Sequence, residues 1–179
     1  MNLPTLRVAN ILDAYREGFT EANGLPAALI GYAIGADPWE ILELDEYYAR
    51  EMENDLFQQY SSGFASSVSD KETGNYFITR NNGDAFTMRR PVVRDKLEGI
   101  DKNEEESSQS IMIMLNLVSR LSGLPIETLE KFTIGEWREM CNLYMDFIQT
   151  APVTQEVPSA YTKFLSLADT VESSAILVS

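Results

Sequence analysis

Apolar side chains recur every three or four residues along most of this 179-residue sequence, and this spacing constrains the fold most strongly. The period places apolar residues on one face of an α-helix, so we expect a core built mainly from amphipathic helices. Asp37 can cap a helix that begins at Pro38 and continues to about Tyr60, because Pro suits the first helical position. Thr133, with Glu136 three residues later, forms a capping box that predicts a second clear helix start.

One segment departs from the helical period. Residues 76–79 and 85–88 are rich in strand-forming residues, and the Asn-Asn-Gly-Asp sequence between them suits the positive φ angles of a tight turn. Because two strands alone are marginally stable in water, we expect this hairpin to pack on the helices. The sequence therefore predicts a mainly α fold with a small β-hairpin, which is an α+β class.

A Ser- and Gly-rich stretch, residues 61–74, interrupts the apolar period and is interpreted as a linker between two small helical subdomains. It separates an acidic N-terminal helical region, residues 1–60, from a region of hairpin plus helices, residues 75–149. Residues 150–179 form a C-terminal tail, in which residues 159–168 can make one short helix.

The net charge of −14 is unevenly distributed and limits the classes of partner. Residues 1–74 hold 13 acidic against 4 basic side chains, whereas residues 75–149 hold 12 against 9. An acidic surface repels phosphate backbones, so no nucleic-acid partner is expected; the charge can attract basic partners or can serve solubility alone. No apolar run reaches the roughly 18 residues that a membrane helix needs, so no membrane association is expected either. With a single cysteine, these features fit the cytosol or a particle assembled there.

The residue types present give little support for catalysis. Histidine is absent, which removes the commonest general base and the commonest transition-metal ligand. Cys141 lies on an apolar helical stripe and is interpreted as a core residue. Carboxylates are abundant and leave an enzyme that uses carboxylates alone as an alternative, but they follow predicted solvent faces and helix starts rather than a cleft. We therefore expect a protein that is not an enzyme, with no catalytic residue, no metal and no cofactor.

Candidate partner-binding residues come from three features of the sequence. Arginines around the hairpin, Arg80, Arg89, Arg90 and Arg94, can form a patch for an acidic partner or can pair with the chain's own acids. Methionines at helical spacing can line an adaptable apolar groove or can belong to the core. The third feature is the presence of two tryptophans. The candidate partner-binding residues are therefore Trp39, Arg89, Arg90, Met112, Met114 and Trp137.

Residues 75–149 resemble the tail assembly chaperones of tailed bacteriophages in the order of their features. The hairpin ends in Met88-Arg89-Arg90-Pro91, and a mixed-charge segment and an acidic stretch follow. An apolar helix then closes in Leu121-Ser122-Gly123-Leu124-Pro125, and the last helix opens with the pair Glu136-Trp137. Residues 37–44 look like the short helical companion found beside these chaperones, placed here first rather than last.

The resemblance implies a function. A chaperone of this family binds the long helical tape measure protein in the host cytoplasm and keeps it soluble until the tail tube polymerises around it. The alternative is a structural component retained in the virion, such as a tail, baseplate or head-completion protein. Other tail or baseplate proteins are then the partners, and the sequence leaves open whether the chain forms a homo-oligomer.

Overall fold

A computed structural model describes residues 4–59, 61–98, 106–151 and 158–163 of the chain. The protein is mainly helical with one small antiparallel sheet, which confirms the predicted α+β class. Among the described helices, none is long and apolar enough to cross a membrane. The elements, in chain order, are α1 (Val8–Arg16), α2 (Leu25–Ile34), α3 (Pro38–Leu42), α4 (Glu46–Gln59), β1 (Ser66–Ser69), β2 (Tyr76–Thr79), β3 (Ala85–Met88), α5 (Val93–Glu98), α6 (Glu106–Ser122), α7 (Ile126–Leu129) and α8 (Ile134–Gln149).

The predicted capping box at the start of α8 is confirmed. The Thr133 hydroxyl accepts the backbone N–H of Glu136 at 3.1 Å, and the Glu136 carboxylate accepts the backbone N–H of Thr133 at 2.9 Å. These two bonds satisfy N–H groups that the first turn of a helix would otherwise leave unpaired. At the other end of the chain, residues 159–163 are helical, and the remainder of the predicted helix over 159–168 lies outside the described residues.

The prediction of one continuous helix from Pro38 to Tyr60 is wrong. Its start is confirmed, because the Asp37 side chain accepts the backbone N–H of Trp39 at 3.0 Å, but α3 ends at Leu42. Asp45 then accepts the backbone N–H of Tyr47 at 3.0 Å and starts α4 as a new helix. A second capping residue inside the apolar period thus divides the expected helix in two.

The hairpin forms as predicted, but its sheet has a third strand. β2 pairs antiparallel with β3, with Tyr76 opposite Met88, and Gly83 has a φ angle of +91° in the turn between them. Strand β1 pairs with the other edge of β2, so the prediction of a linker over residues 61–74 is wrong for residues 66–69. The side chain of Glu139 on α8 holds this strand: its carboxylate accepts the Phe64 backbone N–H at 2.7 Å and the Ser67 hydroxyl at 2.9 Å.

A buried ion pair joins the sheet to the start of α8. Arg80, which directly follows β2, donates two hydrogen bonds to the two carboxylate oxygens of Glu136, at 2.9 and 2.8 Å. The side chains are 12% and 4% exposed, and the guanidinium lies 4.0 Å from the centre of the Phe132 ring. A desolvated pair with this bidentate geometry is strongly directional. It therefore fixes the position of the hairpin on the helix.

The sheet is also attached to the end of α8. Arg90 donates to the backbone carbonyls of Phe147 at 2.6 Å and Thr150 at 2.5 Å. These carbonyls belong to the last turn and its cap, where a positive charge is favoured by the helix dipole. The Tyr76 hydroxyl donates to the carboxylate of Asp146, and this bond, with burial, raises the pKa of Tyr76 to about 12. The sheet thus lies along the whole length of α8.

The N-terminal and central regions share one hydrophobic core instead of forming two separate cores. A single cluster of buried side chains includes Leu12 and Ile30 from the N-terminal helices and Leu115 and Met140 from α6 and α8. The start of α1 is tied to the segment before α8 by backbone bonds, one of which joins the Val8 N–H to the Phe132 carbonyl at 3.0 Å. The segment that contains β1 therefore does not separate two independently packed subdomains.

We predict that Arg80→Met lowers the free energy of unfolding by about 3–5 kcal/mol, because it leaves the buried Glu136 carboxylate without its cation. Urea unfolding measures this change. The control is Arg50→Met, which removes an ion pair to Glu46 whose side chains are 70% and 86% exposed. That variant is expected to lose less than about 1 kcal/mol. Equal losses in the two variants would contradict the structural role of Arg80.

Candidate protein-binding surface

Trp39 is the predicted candidate that lies at the protein surface near other exposed apolar residues. Its side chain is 58% exposed, and its ring centre lies 4.9 Å from that of the buried Phe19. The first turn of α3 carries it, held by the cap of Asp37. Trp39 can therefore contact a partner while it remains anchored on one side to the core.

The two predicted arginine candidates are engaged within the chain. Arg89 donates two hydrogen bonds to the buried carboxylate of Asp95, at 2.8 and 2.7 Å, and Asp95 also accepts the Val92 backbone N–H at 2.8 Å. These hydrogen bonds, that from Arg89 foremost, hold the pKa of the Asp95 carboxyl well below its ordinary value. Arg90 caps α8, as described above. The interpretation that these arginines pair with the chain's own acids is confirmed for Arg89 and for Arg80.

The remaining three candidates pack against the core. Met112 and Met114 are half-buried on α6, and Trp137 is 8% exposed. Met114 and Trp137 come together in a cavity of about 240 Å³ that Cys141 also lines. Burial raises the pKa of the Cys141 thiol to about 11, so the thiol is protonated at neutral pH and is a poor nucleophile. The predicted packing of Cys141 against the core is confirmed.

A cavity of about 530 Å³ between α1 and α2 has a polar lining that includes Asp13 and Glu17. Both carboxylates are already bonded: Asp13 accepts from Arg16 at 2.8 Å, and Glu17 accepts the Tyr32 hydroxyl at 2.7 Å. Within the described parts of the chain, no group of three His, Cys, Asp or Glu side chains could hold a metal ion. The two carboxylates of this cavity thus bind side chains of the same chain.

A second cavity, which we call the α2–α4 groove, has a different character. It has a volume of about 290 Å³ and lies between α2, α3 with the segment after it, and α4. Most of its lining is apolar and includes Ala27, Ile30, Leu42, Leu44 and Ala49. Leu42 and Leu44 are 42% and 40% exposed, so the apolar lining continues onto the surface. A smaller cavity of about 140 Å³ between α2 and α4 shares Ile30 with it.

Large apolar side chains are exposed on the helices that form the groove. Besides Leu42 and Leu44, they are Ile34 at 45%, Trp39 at 58%, Tyr47 at 66% and Tyr48 at 63% exposure. All six belong to one stretch of 15 residues, 34–48. Single exposed apolar residues are common, but such a concentration is typical of a surface that contacts another molecule.

Acidic side chains are frequent in the same part of the sequence. Residues 34–56 contain eight acids and one base, Arg50, whose guanidinium is paired with Glu46 at 2.9 Å. Glu46 and Glu53 themselves line the groove. The groove thus combines an apolar lining with two carboxylates, a combination that suits the binding of amphipathic segments.

The close packing of α3 on α2 creates the groove, and it requires a glycine. A Cβ atom at Gly31 would lie 2.9 Å from the Ala36 carbonyl oxygen and 3.1 Å from the Pro38 nitrogen. Backbone therefore contacts backbone at this point, which brings Leu42 and Leu44 to the rim. The sequence interpretation missed these two residues because the expected single helix spread its apolar residues over one long stripe. The Asp at position 45, a capping residue inside that stripe, was the available signal.

The two tryptophans are expected to respond differently to truncation. Trp137→Ala should lower the free energy of unfolding by roughly 3–5 kcal/mol, because it removes a large buried ring. Trp39→Ala should cost about 1 kcal/mol or less, since it removes one aromatic contact from an exposed side chain. Urea unfolding of both variants tests this. An unchanged urea midpoint for Trp137→Ala would mean that the Trp137 side chain lies at the surface. Trp137 would then again be a candidate partner contact.

The pair between Asp95 and Arg89 predicts part of the acid sensitivity of the protein. Because the folded-state pKa of Asp95 is lowered, the pair stabilises the fold fully above the unfolded-state pKa of about 3.9, and this contribution is lost as the pH falls below it. Asp95→Asn should therefore be less stable than the wild type at pH 7 and should lose less stability between pH 7 and pH 3. Asp13→Asn, in an exposed pair, is the control. Parallel pH profiles for the wild type and Asp95→Asn would contradict the prediction.

Comparison of the chain with protein families, with curated proteins and with solved structures found no match.

Proposed function

We propose that this chain is a tail assembly chaperone of a tailed bacteriophage, which binds the tape measure protein in the host cytoplasm and keeps it soluble. The observation that carries the proposal is the α2–α4 groove, where exposed apolar side chains and the carboxylates of Glu46 and Glu53 line one cavity. A tape measure is a long chain with apolar helical seams, and naked seams associate with one another. A groove of this kind covers a short part of such a seam, and the acidic exterior keeps the complex in solution.

The strength of binding must allow release, because the tail tube displaces the chaperone. The α2–α4 groove is small and open, which suits a modest affinity for each contact. Several copies along one tape measure then protect a long seam through many weak contacts. Each copy leaves separately as the tube grows.

In this proposal the region that resembles the family supports the binding surface. Two of the sequence elements that carry the resemblance contact each other: the backbone N–H of Arg89 donates to the carbonyl of Leu121 at 3.0 Å. Gly123, which follows α6, has a φ angle of +71°. The hairpin end and the Leu-Ser-Gly-Leu-Pro element thus meet in the fold. The exposed apolar surface lies in residues 34–56, which belong to the N-terminal region.

A structural component of the virion is the second candidate, and a separate surface favours it. Val92, Val93 and Leu97, in and next to α5, are 60%, 81% and 66% exposed. A second group of exposed apolar side chains, in the central region of the chain, suits a permanent contact in an assembly. Such a protein stays in the particle in fixed copy number.

We predict that co-expression with the tape measure protein of the same phage moves the tape measure into the soluble fraction and that the two proteins purify together. An unrelated acidic helical protein of similar charge is the control and should leave the tape measure insoluble. Mass spectrometry of purified virions should then lack this chain. A tape measure that stays insoluble in the presence of the chain would refute the chaperone function, and stoichiometric amounts in virions would favour the structural candidate.

A further inference from the structure

We infer that the α2–α4 groove binds a positively charged amphipathic helix, whose apolar stripe enters the groove while its basic flanks face Glu46 and Glu53. This inference rests on the proposed function and names the kind of segment that the groove accepts. The apolar lining and the two glutamates belong to one cavity, so a single ligand meets both. A partner with an apolar stripe alone would leave Glu53 without a cation, whereas Glu46 already pairs with Arg50.

Glu53 is the most informative residue of the groove. Its side chain is half-buried, and within the described residues it has no hydrogen bond and no ion pair. A partly desolvated carboxylate without a partner is unfavourable in the free protein. A Lys or Arg side chain from a bound segment would relieve this cost and would contribute more than a pair on the open surface.

The dimensions of the groove suit a helix. Glu46, Ala49 and Glu53 follow one another on one face of α4 at spacings of three and four residues and span about 10 Å at the helical rise of 1.5 Å per residue. This length matches two turns of a ligand helix, with apolar residues at positions i, i+3 or i+4, and i+7. The small side chains of Ala27 and Ala49 let the backbone of such a helix come close.

Charge excludes two other occupants of the groove. Residues 34–56 hold eight acids and one base, and residues 150–179 hold three acids and one base. The chain's own C-terminal tail therefore offers no surplus of positive charge. A second copy of the chain carries a net charge of −14 and is repelled in the same way. A basic segment of another polypeptide is the occupant that complements the groove.

The test uses two synthetic peptides of about 14 residues with Leu at every third and fourth position. One has Lys at the flanking positions and the other has Glu, and calorimetry measures their binding to the full chain. The Lys peptide should bind at least tenfold more tightly than the Glu peptide, and raising the salt concentration should weaken its binding. Equal binding of the two peptides would overturn the inference. Tighter binding of a peptide that comprises residues 164–179, or self-association that the Lys peptide reverses, would also overturn it.

Variants of the chain locate the site. Glu53→Gln keeps the size of the side chain and should weaken binding of the Lys peptide at least fivefold, whereas Glu51→Gln, on the exposed side of the same helix, should not change it. Ala49→Arg should abolish binding, with Gln58→Arg as the control for an added charge on α4. Circular dichroism confirms that each variant folds. Unchanged binding in both Glu53→Gln and Ala49→Arg would refute the groove as the site.

The failure of this inference is distinguishable from the failure of the proposed function. If the wild-type chain solubilises the tape measure and Ala49→Arg does so equally well, the chaperone function stands and the groove is not its site. If the Lys peptide binds in the groove but the tape measure stays insoluble, the groove has the inferred specificity and the chaperone function is refuted.

Discussion

The buried ion pair between Arg80 and Glu136 holds three parts of the chain together. Glu136 caps α8 and accepts hydrogen bonds from the Arg80 guanidinium at the end of β2. The same guanidinium lies over the ring of Phe132. The backbone carbonyl of Phe132 also accepts the backbone N–H of Val8 at the start of α1. Helix cap, sheet and N-terminal region are thus joined within five residues of the sequence, 132–136. A buried pair of this kind adds little net stability but is costly to break, so it selects one arrangement.

This arrangement explains why the acidic surplus stays on the N-terminal helices. The arginines of the central region are used inside the fold: Arg80 and Arg89 neutralise buried carboxylates, and Arg90 caps the end of α8. In residues 34–56, by contrast, one base accompanies eight acids. The negative rim of the α2–α4 groove is therefore a consequence of where the cations are needed for folding.

The sequence predicts those features that depend on local chemistry. The capping box at Thr133, the turn at Gly83 and the cap at Asp37 each act within four residues, so their residue types suffice to locate them. The third strand could not be predicted in this way, because residues 66–69 are rich in Ser and are held by a contact to Glu139, which is 72 residues away from Ser67. Strand pairing of this kind depends on the tertiary environment more than on intrinsic propensity.

The candidate site shows the same limit. Trp39 was also chosen by residue type, and its side chain is exposed in the folded chain. Arg89, Arg90 and Trp137 were chosen by residue type, and the fold gives them internal contacts. The groove itself arises from the approach of α3 to α2 at Gly31, a tertiary contact that periodicity does not encode. Residue type can thus suggest which side chains bind, but exposure after folding decides it.

Hydrogen–deuterium exchange of the chain with and without the bound tape measure protein shows whether the α2–α4 groove is the binding site. Amides of α2 and α4 should become more protected in the complex, while those of the sheet and α8 should keep their exchange rates. Protection confined to α5 or to the sheet, with α2 and α4 unchanged, would contradict this expectation.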